Sequence, residues 1–92
     1  MKKYYCYILS NKNRTVLYVG YTDDLKRRVL QHQQGNGALF TKKYNIVDLI
    51  FYEEFDNSIE ARNRERQLKN WHKDWKLNLI KDSNSNLITL KL

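Results

Sequence analysis

Tyr18-Val19-Gly20-Tyr21-Thr22-Asp23-Asp24-Leu25-Lys26-Arg27-Arg28-Val29-Leu30-Gln31-His32 changes its hydrophobic period once, at Thr22. Val16 to Tyr21 is rich in β-branched and aromatic residues and reads as a strand. Thr22, Asp23 and Asp24 then offer an N-cap and negative charge to a first helical turn. Leu25, Arg28, Val29 and His32 follow at helical spacing, and Gly35 closes the segment. A strand running straight into a capped helix is the nucleus from which the rest of the chain is read.

Towards the N-terminus, Tyr4 to Leu9 is a second aromatic and β-branched run, and Ser10-Asn11-Lys12-Asn13-Arg14 breaks it as a polar turn. The two strands are close in sequence, so an antiparallel hairpin is expected. Tyr5, Tyr7 and Leu9 would share one face, as would Val16, Tyr18 and Gly20 on the partner. Towards the C-terminus, Gly35-Asn36-Gly37 is a loop, and Ala38 to Tyr44 forms a short helical turn carrying Thr41, Lys42 and Lys43. Ile46 to Phe55 reads as a long third strand at the sheet's centre or wrapping along it, with Val47, Leu49, Phe51 and Phe55 at alternate positions. Asn57 with Glu60 resembles a capping box opening a helix over Ser58 to Asn70. A last helix over His72 to Lys81 would bury Trp75, Leu79 and Ile80. Residues 83 to 92 are either a docked extended tail or frayed. The expected fold is a small α/β sandwich of about three strands, mixed or antiparallel, flanked by helices, with residues 1 to 92 forming one domain.

Lys and Arg number 17 against 10 Asp and Glu, leaving a net charge of +7 that favours polyanionic partners. The single cysteine, Cys6, excludes an intramolecular disulfide and a Cys-rich zinc site. The apolar run after Lys2-Lys3 is too short for a signal peptide or a membrane span, so a cytoplasmic protein without membrane association is expected.

Two helices carry ionisable residues on faces that packing would leave apolar. Arg28 and His32 occupy the inner stripe of the first helix, where snorkelling at the margin is the ordinary alternative. Glu65 lies between Ala61 and Leu68 at i, i+4 and i+7, with Arg62, Arg64, Arg66 and Lys69 around it. A partly desolvated carboxylate needs a cation or metal ion to stay ionised, and an i, i+4 ion pair with Lys69 is the ordinary alternative. One carboxylate, an arginine, a histidine and nearby tyrosines suit hydrolysis of a phosphodiester by a single divalent ion. Mg²⁺ would take one carboxylate oxygen with water and phosphate oxygens, Arg28 would hold a non-bridging oxygen, and a Tyr hydroxyl or His32 would deprotonate the attacking water.

The same residues resemble the GIY-YIG nuclease superfamily, in particular its small single-domain bacterial branch. Tyr5-Cys6-Tyr7 and Tyr18-Val19-Gly20 stand where its two signatures stand. Tyr18 to His32 follows its YIG-x-T-x-x-L-x-x-R-x-x-x-H run, Gly37 to Thr41 resembles its G-A-x-x-T stretch, and Ala61 to Trp71 resembles its A-x-x-R-E-x-x-L-K-x-W helix. The resemblance covers residues 4 to about 82. It implies a catalytic set of Tyr7, Tyr18, Arg28, His32 and Glu65, with Glu65 holding Mg²⁺ or Mn²⁺. Gly20, Lys26, Thr41, Lys42 and Lys69 are the expected substrate contacts. A late asparagine supports the site in several members, for which Asn78 and Asn84 are the positions to compare. Without the resemblance, Tyr7 and Tyr18 read as strand packing.

The expected function is a structure-dependent or loosely specific DNA endonuclease, with branched or damaged DNA as partner and repair or recombination as setting. The alternatives are a nucleic-acid-binding module that is non-catalytic or partner-dependent, and a scaffold. With no room for a separate DNA-binding domain, affinity would come from the catalytic face, a homodimer or a protein partner. Trp71 and Trp75, at i, i+4, are expected in the core.

Overall fold

The computed structural model describes residues 2 to 92. Strands β1 (Tyr4–Ser10), β2 (Leu17–Thr22) and β3 (Asp48–Phe55) form one antiparallel sheet in the order β2-β1-β3. Helix α1 (Leu25–Gln33) and the short α2 (Leu39–Lys43) follow β2. Helices α3 (Ser58–Asn70) and α4 (Lys73–Ser83) follow β3.

The central strand is therefore β1, and β3 is an edge, which corrects the expectation for the third strand. The reason lies in the composition of β1: Cys6, Tyr7, Ile8, Leu9 and Ser10 are all buried, as a strand covered on both faces requires. Strict alternation along β3 also fails. Ile8 pairs with Phe51 but Leu9 pairs with Leu49, so Ile50 is the extra residue of a bulge. Beyond the bulge Phe51 joins the opposite face from Leu49.

The two faces carry separate cores. On one, Tyr7, Leu9, Leu49 and Ile46 pack under Leu25 and Val29 of α1, with Tyr5, Val16, Tyr18 and Leu90 at the margin. On the other, Cys6, Ile8, Val19, Ile50 and Phe51 pack under Leu68 of α3 and Ile80 of α4. Each fully buried Leu or Ile stabilises by about 1.5–3 kcal/mol. Burial pushes the Cys6 thiol up to about 12, which makes it an inert packing residue.

Local sequence explains the helix ends. The Asp24 carboxylate accepts from the Arg27 N–H at 3.1 Å, and Asn57 Oδ1 accepts from the Glu60 N–H at 2.9 Å. At the far end of α1, Gly35 adopts φ 79°, and the Asn36 and Gly35 N–H groups reach the carbonyls of Gln31 and His32, a Schellman closure.

The last residues are docked. Asn84 is buried, its Nδ2 donating to the Ile50 and Ile88 carbonyls at 3.0 and 2.8 Å, and the Leu90 N–H donates to the Leu49 carbonyl at 2.7 Å. Arg14, in the β1–β2 turn, donates to the Leu87 carbonyl at 2.8 Å, to Thr89 Oγ1 at 2.9 Å and to Asp48 Oδ2 at 2.7 Å. Trp75 departs from the expected core: it is 55% exposed, because α4 turns Ile80 and Leu79 inward instead, while Trp71 packs at the core's edge. No helix of the described residues is long and apolar enough to cross a membrane.

Candidate active site

The hairpin register places Tyr7 opposite Gly20. The Tyr7 ring lies over the Gly20 backbone so closely that a Cβ there would fall 2.3 Å from Tyr7 Cζ, so no side chain larger than hydrogen fits. The close approach of the Gly20 backbone, one of the expected substrate contacts, is thus made to Tyr7. Crossing Gly20 carries the phenol towards the open side of β2, where α1 supplies its partners.

His32 is buried against the same ring. Its Nε2 lies 3.2 Å from the Tyr7 hydroxyl, and its Nδ1 lies 2.9 Å from Thr41 Oγ1. Thr41 in turn donates its only hydroxyl proton to the Ala38 carbonyl at 2.7 Å. The threonine oxygen must therefore accept, so Nδ1 carries the imidazole proton and Nε2 presents its lone pair to the phenol. The backbone at Gly37 closes the pocket from another side: a Cβ there would fall 2.2 Å from His32 Nδ1. Thr41, expected as a substrate contact, is buried, with its hydroxyl engaged by His32 Nδ1 and the Ala38 carbonyl. Burial and then the charge of Arg28 push the His32 pKa down to about 4.

That depression has a sign. The unfolded chain, with a free histidine near 6.5, binds the proton more readily than the native state. Stability contributed by neutral His32 is fully present above about pH 6.5 and is lost as pH falls towards about 4, on the order of 3 kcal/mol in all. Urea melts at about pH 7.5 and about pH 4.5 are expected to show this loss in the wild type and a smaller one in His32→Gln. Equal losses in both proteins would assign the effect to other groups.

Arg28, half-buried, donates to Gln31 Oε1 at 3.2 Å and lies beside the Tyr7 hydroxyl. Burial nevertheless dominates there, and the phenol is raised to about 12 against the lowering influence of Arg28. The Tyr18 and His32 ring centroids are 5.7 Å apart, and Tyr18 also stacks on Phe40 at 6.4 Å. Tyr7, Tyr18, Arg28 and His32 thus form one cluster.

Glu65 stands on α3, which packs across β1 and β2 on the other face of the sheet. Its side chain is 22% exposed and its Oε2 is 3.0 Å from Lys69 Nζ, so the ordinary i, i+4 pair is present. It lines a shallow cleft of about 300 Å³ with Arg62, Arg66, Lys69 and Asn70. Its negative charge is close enough to oppose ionisation of both Tyr7 and Cys6. Arg64 leaves this group: it forks onto both oxygens of Glu53 at 2.7 and 3.2 Å. Among the described residues no three His, Cys, Asp or Glu side chains converge. A carboxylate lining a cleft is the kind of oxygen ligand a hard divalent cation takes.

Of the expected substrate contacts, Lys42 is exposed on α2 and Lys69 is paired with Glu65. Lys26 lines cavities on the far side of α1, with Tyr5, Asp23 and Tyr52 in one and the C-terminal tail in the other, away from the Tyr7 cluster. Asn78 is exposed, and Asn84 is committed to the tail, so neither joins the cluster. Arg62 and Arg66, named in the sequence only as charges around Glu65, and Gly37, named only within the G-A-x-x-T stretch, had been given no role. The first two are the helical neighbours of Glu65, a spacing that marks them once Glu65 is chosen. Arg62 also lies over the Tyr21 ring at 4.4 Å.

A family model described as the GIY-YIG catalytic domain matches residues 3–78. A UPF0213 protein of Staphylococcus saprophyticus is 39% identical over 82 residues, which cover 89% of this chain and 99% of that protein. A UPF0213 protein of Clostridium perfringens is 40% identical over 76 residues, 83% of this chain and 81% of its own. The solution NMR structure of a UPF0213 protein from Bacillus halodurans superposes with a TM-score of 0.59 at 30% identity, over 91% of this chain and 88% of that one. With match, relatives and solved neighbour all spanning the sheet and the helices that carry the cluster, the chain belongs to the GIY-YIG catalytic domain family, among its UPF0213 members.

Proposed function

We propose that this protein is a metal-dependent endonuclease that hydrolyses DNA phosphodiester bonds with structure-dependent or loose specificity, in repair or recombination. The observation that carries the reading is the buried hydrogen-bond chain Ala38–Thr41–His32–Tyr7, which ends in a phenol beside Arg28. A packing tyrosine has no use for an imidazole fixed in one tautomer.

In this reading the raised phenol and the depressed imidazole rest as a neutral pair at pH 7. As water attacks phosphorus, its proton passes to Tyr7 Oη while the phenolic proton passes to His32 Nε2, so no free tyrosinate is needed. Arg28 binds a non-bridging oxygen as charge builds, and Tyr18 orients the water. Glu65 would hold a divalent ion, which would supply stabilisation of charge on the leaving oxygen. Lys42 and Lys69 contact the phosphate backbone, Lys69 by leaving Glu65.

The Glu65–Lys69 ion pair favours a second reading, in which the protein binds nucleic acid and turns over only with a partner. Labelled linear, nicked, flapped and branched DNA incubated with Mg²⁺, Mn²⁺ or chelator separates the two. Metal-dependent products that vanish with chelator are expected. Salt-sensitive mobility shifts with no product under any metal would replace hydrolysis by binding.

A further inference from the structure

Helix α2 carries an unusual amount of apolar surface for a solvent-facing segment of its length. Leu39 is 82% exposed, Phe40 46% and Tyr44, its C-cap, 45%. The two rings pack on each other with centroids 4.9 Å apart, and Phe40 stacks on Tyr18 with the planes 26° apart. Tyr44, Phe40, Tyr18 and His32 therefore form a continuous run of rings from solvent to the buried phenol of Tyr7.

The charge around this run has one sign. From Gly35 to Val47 the chain contains Lys42 and Lys43 and no Asp or Glu. Lys42 and Lys43 are exposed, and the Lys43 ammonium lies 5.4 Å from the Tyr44 ring centroid. Apolar rings flanked in their own segment by two exposed lysines and no carboxylate suit a partner that is itself flat, aromatic and anionic, which a protein surface rarely is and a nucleotide chain always is. Stacking requires a free π-face. Inside a duplex both faces of each base are covered by neighbours, so the platform has most to gain from bases that are unpaired.

We infer that Phe40 and Tyr44, flanked by Lys42 and Lys43, form a stacking platform that holds an unpaired segment of nucleic acid beside the Tyr7–His32 cluster. The inference rests on the nuclease reading and narrows it: the preferred substrate carries single-stranded bases next to the phosphate that is cut. A flap, a branch or a fully single-stranded chain supplies them, and a blunt duplex does not.

The test is binding, measured with chelator present so that nothing is cut. Fluorescence anisotropy at one fixed salt concentration would compare short single-stranded DNA, RNA of the same sequence, a flapped duplex and a blunt duplex. Wild type is expected to bind the single-stranded and flapped probes more tightly than the blunt duplex, and the DNA and RNA arms decide which chain it prefers. The double variant Phe40→Leu, Tyr44→Leu keeps apolar bulk but loses both ring faces. It is expected to weaken single-stranded and flapped binding about fivefold or more and to leave the blunt duplex unchanged. Tyr44→Leu alone, at an exposed position, guards against a folding defect and should weaken the same probes in the same order. Equal affinity of wild type for all probes, or an equal loss on the duplex, overturns the platform while leaving the nuclease reading in place. Failure to bind any probe overturns both.

Discussion

Replacement of Glu65 by Ala is expected to reduce cleavage to the level of chelator-treated wild type, a loss of about a thousandfold or more. The size follows from the several kcal/mol that a Lewis acid contributes at a phosphoryl centre, at about 1.4 kcal/mol per factor of ten. No second carboxylate stands ready to take over, because no cluster of metal-ligating side chains converges among the described residues. Stability should hardly change. The pair Glu65 forms with Lys69 links neighbouring helical turns at the surface, where such pairs contribute about 0.3–0.5 kcal/mol. A second readout needs no activity: Mn²⁺ should raise the melting temperature of the wild type and not of the variant, since a ligand that binds only the native state stabilises it. Unchanged cutting by Glu65→Ala would remove Glu65 from the chemistry, and an unchanged Mn²⁺ shift would remove it from the metal.

Tyr7→Phe is expected to lower the single-turnover rate by about a hundredfold to ten-thousandfold, the range for loss of a positioned proton donor and acceptor. The phenylalanine keeps the ring over Gly20 and deletes only the hydroxyl that faces His32 Nε2. That leaves a buried acceptor unpaired, which costs about 1–3 kcal/mol of stability, too little to account for the kinetic loss if melts are run alongside. A rate within tenfold of wild type would mean that water gives up its proton elsewhere, and Tyr18 would be the next residue to substitute.

Periodicity was enough to find the inward face of α1. Leu25 and Val29 had to point inward, which carried Arg28 and His32 with them, and the caps at Asp24 and Gly35 set the helix ends within a residue. Glu65 was visible for the same reason, held between Ala61 and Leu68. What escaped was whatever depends on partners distant in sequence. The Ile50 bulge flips the face of Phe51 by opposing two residues to one, and nothing local in Ile46 to Phe55 announces it. The central position of β1 was legible in principle, since its apolar run has no polar alternation. Thr41 stood among the expected substrate contacts. Only the fold reveals that its hydroxyl lies under His32. Tyr7 and Tyr18 stood out by resemblance alone, because an active-site tyrosine and a packing tyrosine share the same strand preference.

The clamp made by Arg14 has a bearing on solubility. β3 is an edge, and an uncovered edge offers its unpaired backbone groups to any neighbouring chain. Here part of that edge is spoken for: the tail satisfies the Leu49 carbonyl and Asn84 the Ile50 carbonyl, while one guanidinium ties Leu87 and Thr89 to Asp48 at the strand's beginning. A single arginine in a surface turn thereby guards against edge-to-edge self-association, and weakening it would surface as aggregation long before it surfaced as a loss of fold.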